Sequence, residues 1–394
     1  MEIKNLKKAA SRIIKAVKNK ENIILYGDAD PDGMISVVIL KEAINTLGEE
    51  VLAVYFPDRE KNGYGINERG LINLKKYAPA LFIALDVGIT NFKEIDLARN
   101  LGFEVIIIDH HQILDNKLPN ASIIVNPKQK GDKYPFKELA TCGITFKLSK
   151  LLLKDNFSKN LEESFLELAA IGTMADLMPQ TDDNKEIIEQ GLIVLENTFR
   201  PGLRVFLEID KVKKELSSTR ELAQKIISAL NSGISQDHLN EAYLLLVSPS
   251  LEQAKELAEK LIKRSYQKKI EIKEAAEKIE KKVLEKAIFQ KVNIEKQPVI
   301  FEGDSAFSFI LAGAVASRIC NKYKKPTFIF KKNKRESIGS VRMPKGFDAV
   351  EAMKNCSSFL ENYGGHAPAA GFRIRNKNLE KFEKCLNKYF SMQY

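Results

Sequence analysis

The chain has 394 residues, which is enough for two domains that each bury a hydrophobic core. Hydrophobic residues make up 44% and charged residues 29% of it, as in globular proteins, and no apolar run reaches the length of a membrane span. The formal net charge of +10 is compatible with a polyanionic partner, although a basic surface can also simply be solvated.

Residues 1–20 have the pattern of an amphipathic helix and lack the apolar core of a signal peptide, so we expect a cytoplasmic protein. The four cysteines form no CxxC pair, which fits a reducing compartment and argues against a zinc–thiolate site. Beyond this helix, strand and helix patterns alternate. Strands are predicted at 23–27, 51–56, 81–85, 104–108 and 122–125, and helices at 34–47, 66–77, 92–101 and 143–154. Such alternation predicts an α/β domain with a mostly parallel sheet.

Three carboxylates, Asp28, Asp30 and Asp32, follow the first predicted strand at alternate positions. Carboxylates so close together repel one another unless they are protonated or bound to cations, and Mg²⁺ or Mn²⁺ suits oxygen ligands. Taken alone, the motif is also compatible with a solvated turn or with a calcium loop of the EF-hand type. The EF-hand is disfavoured because its twelfth position is Ile39 instead of Glu, and because a strand precedes the motif.

Two other predicted strands end in side chains of the same kinds. Asp86 follows the third strand, and Asp109, His110 and His111 follow the fourth. Ligands of open parallel sheets bind outside the carboxyl ends of the strands, so we expect these residues to form one site with the first motif. Asp176 is the one charge in an apolar stretch and is a further candidate ligand, with a helix N-cap as the alternative.

The second half of the chain begins with residues 201–290, which have a wholly helical pattern that includes a long connector helix at 251–287. From residue 298, strand and helix patterns return and predict a smaller α/β domain. This domain ends in the run Gly364-Gly365-His366, whose backbone N–H groups could cradle a phosphate, unless His366 is a structural histidine. The predicted division is 1–200 for the catalytic domain, 201–290 for the helical connector and 291–394 for the substrate-binding domain.

The order of these motifs resembles the DHH phosphoesterases with a C-terminal DHHA1 domain, and within them the RecJ-type single-strand exonucleases. Further motifs that match are Pro57-Asp58-Arg59, Gly63-Tyr64-Gly65, Gly172-Thr173, Ala314 to Arg318 and Gly339-Ser340-x-Arg342. The resemblance implies a parallel-sheet DHH catalytic domain joined by a helical connector to a smaller α/β DHHA1 domain. In size the chain is similar to the compact archaeal members. It departs from the pattern at Asn231-Ser232-Gly233, where RecJ proteins have a Gly-Arg motif.

The resemblance also implies a reaction, the hydrolysis of phosphodiester bonds with two divalent cations, Mn²⁺ or Mg²⁺. The implied metal-binding residues are Asp30 and Asp86 for the first ion, with Asp28 near it, and Asp32, Asp86, His110 and Asp176 for the second. The implied catalytic residues are the bridging Asp86, Asp109 as the group that orients a neighbour, and His111 at the scissile phosphate. The implied substrate-binding residues are Arg318, Arg342, Gly364, Gly365 and His366.

Three functions are compatible with this resemblance. The first is an exonuclease that degrades single-stranded DNA or RNA to mononucleotides in replication or repair, with a helicase or replisome factor as its partner. The second is a nanoRNase or cyclic-dinucleotide phosphodiesterase of the same family. The third is a catalytically silent replication scaffold, against which the intact ligand set argues. A manganese-dependent pyrophosphatase shares the first motifs but would lack the glycine-rich ending.

Overall fold

The computed structural model of the chain describes residues 2–59, 63–209, 218–289, 293–306 and 308–393. The chain forms two compact units, Met1–Ser265 and Tyr266–Tyr394, whose boundary lies within a helix of 39 residues, α11 (Leu251–Phe289). This is the connector helix that the sequence predicts over 251–287. The finer division into 1–200, 201–290 and 291–394 stays a prediction.

A five-stranded parallel sheet lies at the centre of the first unit. Its strands are β1 (Ile23–Gly27), β2 (Ala53–Tyr55), β3 (Ala80–Leu85), β4 (Phe103–Ile108) and β5 (Ile123–Val125). Their order is β2-β1-β3-β4-β5, and every neighbouring pair is parallel. All side chains of β1 and β3 are buried, as is typical of parallel strands that are covered on both faces. The predicted α/β class is therefore confirmed.

The register of the sheet makes the carboxyl ends of three strands level. Gly27 of β1 lies beside Leu85 of β3, and Leu85 lies beside Ile108 of β4. The chain runs from β1 outward to β2 on one side and then crosses back to β3 on the other side of β1, so the direction of the strand order reverses between β1 and β3. In open α/β sheets, ligands bind in the crevice at such a reversal. The residues that follow β1 and β3 therefore occupy the position where the fold favours a site.

The described helices of the first unit, besides α11, include those that cover the two faces of this sheet and others that pack on these helices. They are α1 (Leu6–Lys18), α2 (Pro31–Thr46), α3 (Glu68–Leu74), α4 (Phe92–Asn100), α5 (Thr141–Leu153), α6 (Lys159–Ala175), α7 (Asp182–Leu195), α8 (Pro201–Glu208), α9 (Thr219–Leu230) and α10 (Glu241–Leu246). Helix α2 packs against β1, α5 and α6, which explains why nearly all its side chains up to Leu40 are buried. On the opposite face, α3 and α4 cover a smaller core that contains Tyr26, Phe82 and Phe103.

The segment after residue 200 departs from the wholly helical prediction at one place. A short antiparallel hairpin joins β6 (Ser235–Gln236) to β7 (Leu239–Asn240). Its two turn residues, Asp237 and His238, have φ angles of 47° and 69°, as the tightest hairpin turns require. Strands of two residues are too short to produce a periodic pattern. The remaining described residues between 201 and 289 are largely helical, and residues 210–217 lie outside the described residues.

A buried ionic group joins several helices of the first unit. Arg200 donates two parallel hydrogen bonds to Glu42 of α2, with N···O distances of 2.8 and 2.7 Å. Its guanidinium also donates to Ser164 Oγ of α6 and to the Leu246 carbonyl of α10. These contacts satisfy the guanidinium, which is what allows a charged group to be buried here.

The described part of the second unit contains a mixed sheet with three helices besides the end of α11. Its strands are β8 (Ile300–Asp304), β9 (Thr327–Lys332), β10 (Glu336–Arg342), β11 (Leu360–His366) and β12 (Ala369–Arg375). The helices are α12 (Ala312–Tyr323), α13 (Ala349–Asn355) and α14 (Leu379–Ser391). The order is β11-β12-β10-β9-β8, in which only β8 and β9 are parallel. A second, smaller α/β domain is thus confirmed.

The cysteines differ from what a reducing compartment would favour. Cys356, just after α13, forms a disulfide with Cys385 of α14. The two residues are 29 positions apart and meet because α13 and α14 pack against each other, which no spacing rule reveals. Cys142 and Cys320 are buried free thiols. Among the described helices, none is apolar over enough residues to cross a membrane.

Candidate metal centre

The first carboxylate motif forms the turn between β1 and α2. Asp30 is the N-cap of α2: its backbone is extended, and its side chain accepts a hydrogen bond from the Gly33 N–H at 3.0 Å. Pro31 begins the helix, where its missing N–H costs nothing. A Cβ at Gly33 would lie 2.6 Å from the Asp28 carbonyl oxygen, so only glycine lets α2 approach this closely. The local sequence thus fixes a tight strand-to-helix turn that carries the three carboxylates.

Three aspartates, each the first residue after a strand, continue the backbone hydrogen bonding of the sheet. The backbone N–H of Asp28 donates to the carbonyl of Leu85 at 3.1 Å, and that of Asp86 donates to the carbonyl of Ile108 at 2.9 Å. The N–H of Asp109 likewise donates to the last carbonyl of β5 at 3.0 Å. The sheet itself therefore holds the backbone of these aspartates at its carboxyl edge.

One imidazole lies at the centre of the cluster. His110 Nε2 lies 3.3 Å from Asp86 Oδ1, 3.3 Å from Asp176 Oδ2 and 3.8 Å from Asp32 Oδ2. The ligand atoms of Asp32, His110 and Asp176 fall within 4.8 Å of one another.

A second group with the same spread consists of Asp28, Asp30 and Asp86. Asp86 thus belongs to one group and approaches His110 of the other. All six predicted ligands, Asp28, Asp30, Asp32, Asp86, His110 and Asp176, are brought together by the fold.

Asp176 lies at an unfavourable position for a carboxylate. It follows the C-terminal end of α6, so the alternative of a helix N-cap does not apply. The carbonyl groups at this end of a helix carry partial negative charge, which repels an anion. Its Oδ2 atom is buried and has no hydrogen-bond partner among the residues that the structure describes. A cation beside Asp176 would compensate for both effects.

Burial and mutual repulsion perturb the pKa values of these groups. Burial raises the pKa of Asp32 to about 6, and the neighbouring Asp30 contributes to the same shift. Burial and the adjacent carboxylates raise the pKa of Asp86 and of Asp176 well above the usual range. Burial also lowers the pKa of His110, which leaves the neutral imidazole that binds metals. A set of carboxylates with one neutral imidazole fits a hard divalent cation such as Mn²⁺.

Comparisons with known proteins identify two domains in the chain. The model described as "DHH family, N-terminal domain" matches residues 22–173, and the DHHA1 domain model matches residues 296–392. The chain therefore contains a DHH-family N-terminal domain and a DHHA1 domain. The first match covers the whole parallel sheet of the first unit and most of the candidate ligands.

The chain is also similar to curated and solved RecJ proteins. It is 33% identical to the single-stranded-DNA-specific exonuclease RecJ of Bacillus subtilis (strain 168) over 392 residues, or 98% of this chain and 48% of that protein. The chain therefore spans about half the length of this relative.

A solved structure of exonuclease RecJ bound to manganese has a TM-score of 0.74 and 25% identity, and the match covers 99% of this chain and 95% of that one. RecJ of Thermus thermophilus in complex with Mn²⁺ shares the fold, with a TM-score of 0.78 at 24% identity over 100% of this chain and 55% of that one.

Asp109 and His111 of the DHH domain form a hydrogen-bonded pair beside the cluster. Asp109 Oδ1 accepts from the His111 backbone N–H at 3.0 Å and lies 2.8 Å from His111 Nδ1. Asp109 Oδ2 accepts from the Ile89 N–H at 3.1 Å. Burial alone would lower the pKa of His111, but the Asp109 carboxylate outweighs it and raises this pKa to about 9. The pair thus fixes the orientation of the His111 ring and favours its cationic form.

Arg59 of the Pro57-Asp58-Arg59 motif lies against the first group of carboxylates. Its Nη2 atom is 2.6 Å from Asp28 Oδ2 and 2.9 Å from Asp30 Oδ2, and its guanidinium lies 4.8 Å from the centre of the Tyr64 ring. Burial acts to raise the pKa values of Asp28 and Asp30, whereas the Arg59 guanidinium acts to lower them and so favours the ionised carboxylates. The sequence analysis gave this motif as part of the resemblance, and the structure adds its contact with Asp28 and Asp30.

Two residues that the sequence analysis missed support the backbone of the histidines. Asn126 Nδ2 donates to the His111 carbonyl at 3.0 Å, and Lys128 Nζ donates to the His110 carbonyl at 2.8 Å. Both residues follow the end of β5, just as the aspartates follow β1 and β3. The rule that identified the aspartates would have found Asn126 and Lys128 if it had been applied to the fifth strand.

The predicted substrate-binding residues gather at one end of the DHHA1 sheet. The register pairs His366 of β11 with Ala369 of β12, and Ala369 with Arg342 of β10. Gly364 and Gly365 precede His366 on the same strand, and a Cβ at Gly365 would lie 2.6 Å from the Ala369 carbonyl.

Helix α12 adds the remaining predicted residue of this set. Arg342 Nε donates to Ser317 Oγ of α12 at 3.1 Å, and the exposed Arg318 follows Ser317 on that helix. The fold therefore brings Arg342 together with residues 364–366 of β11 and places Arg318 on the adjacent helix, and the role of these five residues in binding stays a prediction.

Proposed function

We propose that the chain is a metal-dependent exonuclease that hydrolyses the phosphodiester bonds of single-stranded DNA. The observation that carries this proposal is the buried group of carboxylates around His110 at the reversal of the sheet. The named relatives are exonucleases specific for single-stranded DNA, which supports the same substrate. The chain spans about half of that relative, so we propose the activity of the whole relative for this chain.

Two divalent cations, Mn²⁺ or Mg²⁺, are the proposed cofactors. Asp28, Asp30 and Asp86 would hold one ion. Asp32, Asp86, His110 and Asp176 would hold the other, so Asp86 would be a ligand of both. Such ions lower the pKa of a bound water and neutralise charge on the phosphate. The short distance between Asp86 Oδ1 and His110 Nε2, 3.3 Å, supports a shared Asp86.

The protein side chains around these ligands would bind and orient the phosphate. His111, kept cationic by Asp109, would donate a hydrogen bond to a non-bridging oxygen or protonate the leaving oxygen. Asp109 contacts His111 and the Ile89 N–H, so it would act by orienting the imidazole.

The DHHA1 domain would hold the strand through its phosphates. Arg342 and Arg318 offer guanidinium groups that pair with phosphate oxygens. Gly364, Gly365 and His366 of β11 offer backbone groups at the same end of the sheet as Arg342. Contacts to phosphates carry no sequence information, so the proposed enzyme would degrade strands of any sequence. A helicase or replisome factor as partner remains a prediction from the resemblance.

The test is a time course on long DNA and RNA strands labelled at either end, with Mn²⁺ and with EDTA. We expect mononucleotides from single-stranded DNA, no cleavage of blunt duplex DNA, and no activity in EDTA. Asp86→Asn should abolish cleavage, whereas Asp155→Asn, an exposed aspartate on the connection between α5 and α6, should leave it unchanged.

The other outcomes discriminate between the alternatives. Turnover of dinucleotides with intact long strands would favour a nanoRNase or cyclic-dinucleotide phosphodiesterase. If Mn²⁺ and the folded chain leave every oligonucleotide intact, the scaffold interpretation replaces the exonuclease. The arms with RNA and with 5′ or 3′ labels give the sugar preference and the polarity.

A further inference from the structure

The first turn of α5 contacts two carboxylates that the proposed function assigns as ligands, Asp32 for one ion and Asp86 for both. The backbone N–H of Thr141 donates to Asp32 Oδ2 at 2.9 Å, and that of Cys142 donates to Asp32 Oδ1 at 2.7 Å. Both oxygens of Asp32 are therefore bound by the N-terminus of a helix, whose partial positive charge favours the ionised form. This fixes the plane of the Asp32 carboxylate.

The side chain of Thr141 points to the other carboxylate. Its hydroxyl, Oγ1, donates to Asp86 Oδ1 at 3.0 Å, and the whole residue is buried. The same Asp86 oxygen lies 3.3 Å from His110 Nε2. An ionised carboxylate only accepts hydrogen bonds, so the hydroxyl must donate its single proton here.

The Thr141 hydroxyl restrains a carboxylate that lies among other carboxylates. The backbone of Asp86 has a φ of 64°, a left-handed conformation at the end of β3, and the chain turns away immediately after it. The carboxylate can rotate about its last bond, and its neighbours are other carboxylates that repel it. The Thr141 hydroxyl supplies a hydrogen bond that opposes this rotation. One residue thus ties the carboxylates of two distant segments, 109 and 55 positions away, to one helix terminus.

We infer that Thr141 is a positioning residue that orients Asp32 and Asp86 for cation binding. This rests on the proposed function, since it assumes that the two aspartates bind cations. Partners that orient metal ligands without binding the metal typically contribute about 10–100-fold to metal affinity. Loss of the Thr141 hydroxyl should therefore weaken Mn²⁺ binding about 10-fold or more while the fold and the contact of the backbone with Asp32 remain.

The test measures Mn²⁺ binding to the full chain without nucleic acid, by calorimetry and by the electron paramagnetic resonance signal of free Mn²⁺. Thr141→Val keeps the shape and removes the hydroxyl, and Thr141→Ser restores it. Thr145→Val is the matched control: it removes a buried hydroxyl one turn later, whose partner is the Thr141 carbonyl at 2.9 Å instead of a carboxylate. Thr141→Ala repeats the loss with a smaller side chain, in case valine does not fold.

We expect Thr141→Val and Thr141→Ala to bind Mn²⁺ about 10-fold more weakly or worse, with Thr141→Ser and Thr145→Val within about 2-fold of the wild type. The Mn²⁺ concentration for half-maximal DNA hydrolysis should shift by the same factor, and the rate at saturating Mn²⁺ should largely recover.

Equal affinity of Thr141→Val and the wild type would overturn the inference, as would a Thr141→Ser variant as weak as Thr141→Val. A wild-type chain that binds no Mn²⁺ would instead overturn the proposed function, and the inference with it.

Discussion

Asp86→Asn should abolish Mn²⁺ binding and at the same time stabilise the metal-free protein, or leave its stability unchanged. The carboxylate is buried among Asp28, Asp30, Asp32 and Asp176, all of which disfavour its charge. Asparagine removes that charge and keeps the shape. It also tolerates the left-handed backbone at this position, where φ is 64° and alanine would be strained. The amide oxygen can still accept the Thr141 hydrogen bond.

The magnitude follows from the separation of the groups. Ligand atoms of Asp86 lie within 4.8 Å of those of Asp28 and Asp30. At an effective dielectric constant of about 20, two full charges 4.8 Å apart repel each other by roughly 3.5 kcal/mol, which partial protonation and the Arg59 charge beside Asp28 and Asp30 reduce. We therefore expect a gain of up to about 3 kcal/mol for metal-free Asp86→Asn. For the wild type, Mn²⁺ at about 100 times its Kd should add about 2.7 kcal/mol.

Thermal melts in EDTA and in Mn²⁺ test both parts. For a unit of this size, about 2.7 kcal/mol corresponds to a rise in Tm of roughly 5–10 °C for the wild type. Asp86→Asn should melt at or above the wild-type temperature in EDTA and should not respond to the same Mn²⁺ concentration. The control Asp155→Asn should follow the wild type in both buffers. The reasoning would be refuted if Asp86→Asn melted several degrees below the wild type in EDTA, or if Mn²⁺ raised its Tm by as much as that of the wild type.

Three further substitutions test the fold around the site. Burial raises the pKa of Glu167 to about 7 from 4.5, so this residue contributes stability below pH 4.5 that is lost as the pH rises through 7. The unfolding free energy of Glu167→Gln, measured in urea, should therefore exceed that of the wild type by about 3 kcal/mol at about pH 8 and match it near pH 4. A difference independent of pH would contradict this. Arg200→Lys cannot reproduce the paired bonds to Glu42 and should lower the unfolding free energy by about 2 kcal/mol, whereas an unchanged urea midpoint would count against a structural role. Gly191→Ala would place a Cβ 2.5 Å from that of Ala170, so the same assay should register a loss of about 1–3 kcal/mol, and a stabilised variant would show that α6 and α7 can separate.

The sequence predicted the site because the relevant residues follow the ends of strands. Runs such as the one in β4, Phe103–Ile108, identify buried parallel strands, and whatever follows them must lie at one edge of the sheet. That argument needs no knowledge of how the strands are ordered. It therefore succeeded for Asp86 and for Asp109 to His111, which lie on separate segments.

The features that the sequence did not predict depend on contacts across long stretches of chain. The hydrogen bonds from the first turn of α5 to Asp32 join residues 109 and 110 positions apart. The periodicity of a sequence predicts a helix but not what lies at its end. The hairpin of β6 and β7 has strands of two residues, and its turn, Asp237-His238, lacks glycine. The disulfide between Cys356 and Cys385 depends likewise on how two helices pack.

The backbone that carries the candidate ligands is held by the sheet and by helix termini, and these contacts do not require a cation. Asp28, Asp86 and Asp109 each continue the ladder of the sheet, and Asp30 and Asp32 are bound by backbone N–H groups at the starts of α2 and α5. The charges of the side chains, in contrast, oppose one another until a cation is bound. It follows that the positions of the ligands and their charges are separable: substitutions that keep the hydrogen bonds but change the charge should alter cation binding and leave the fold intact.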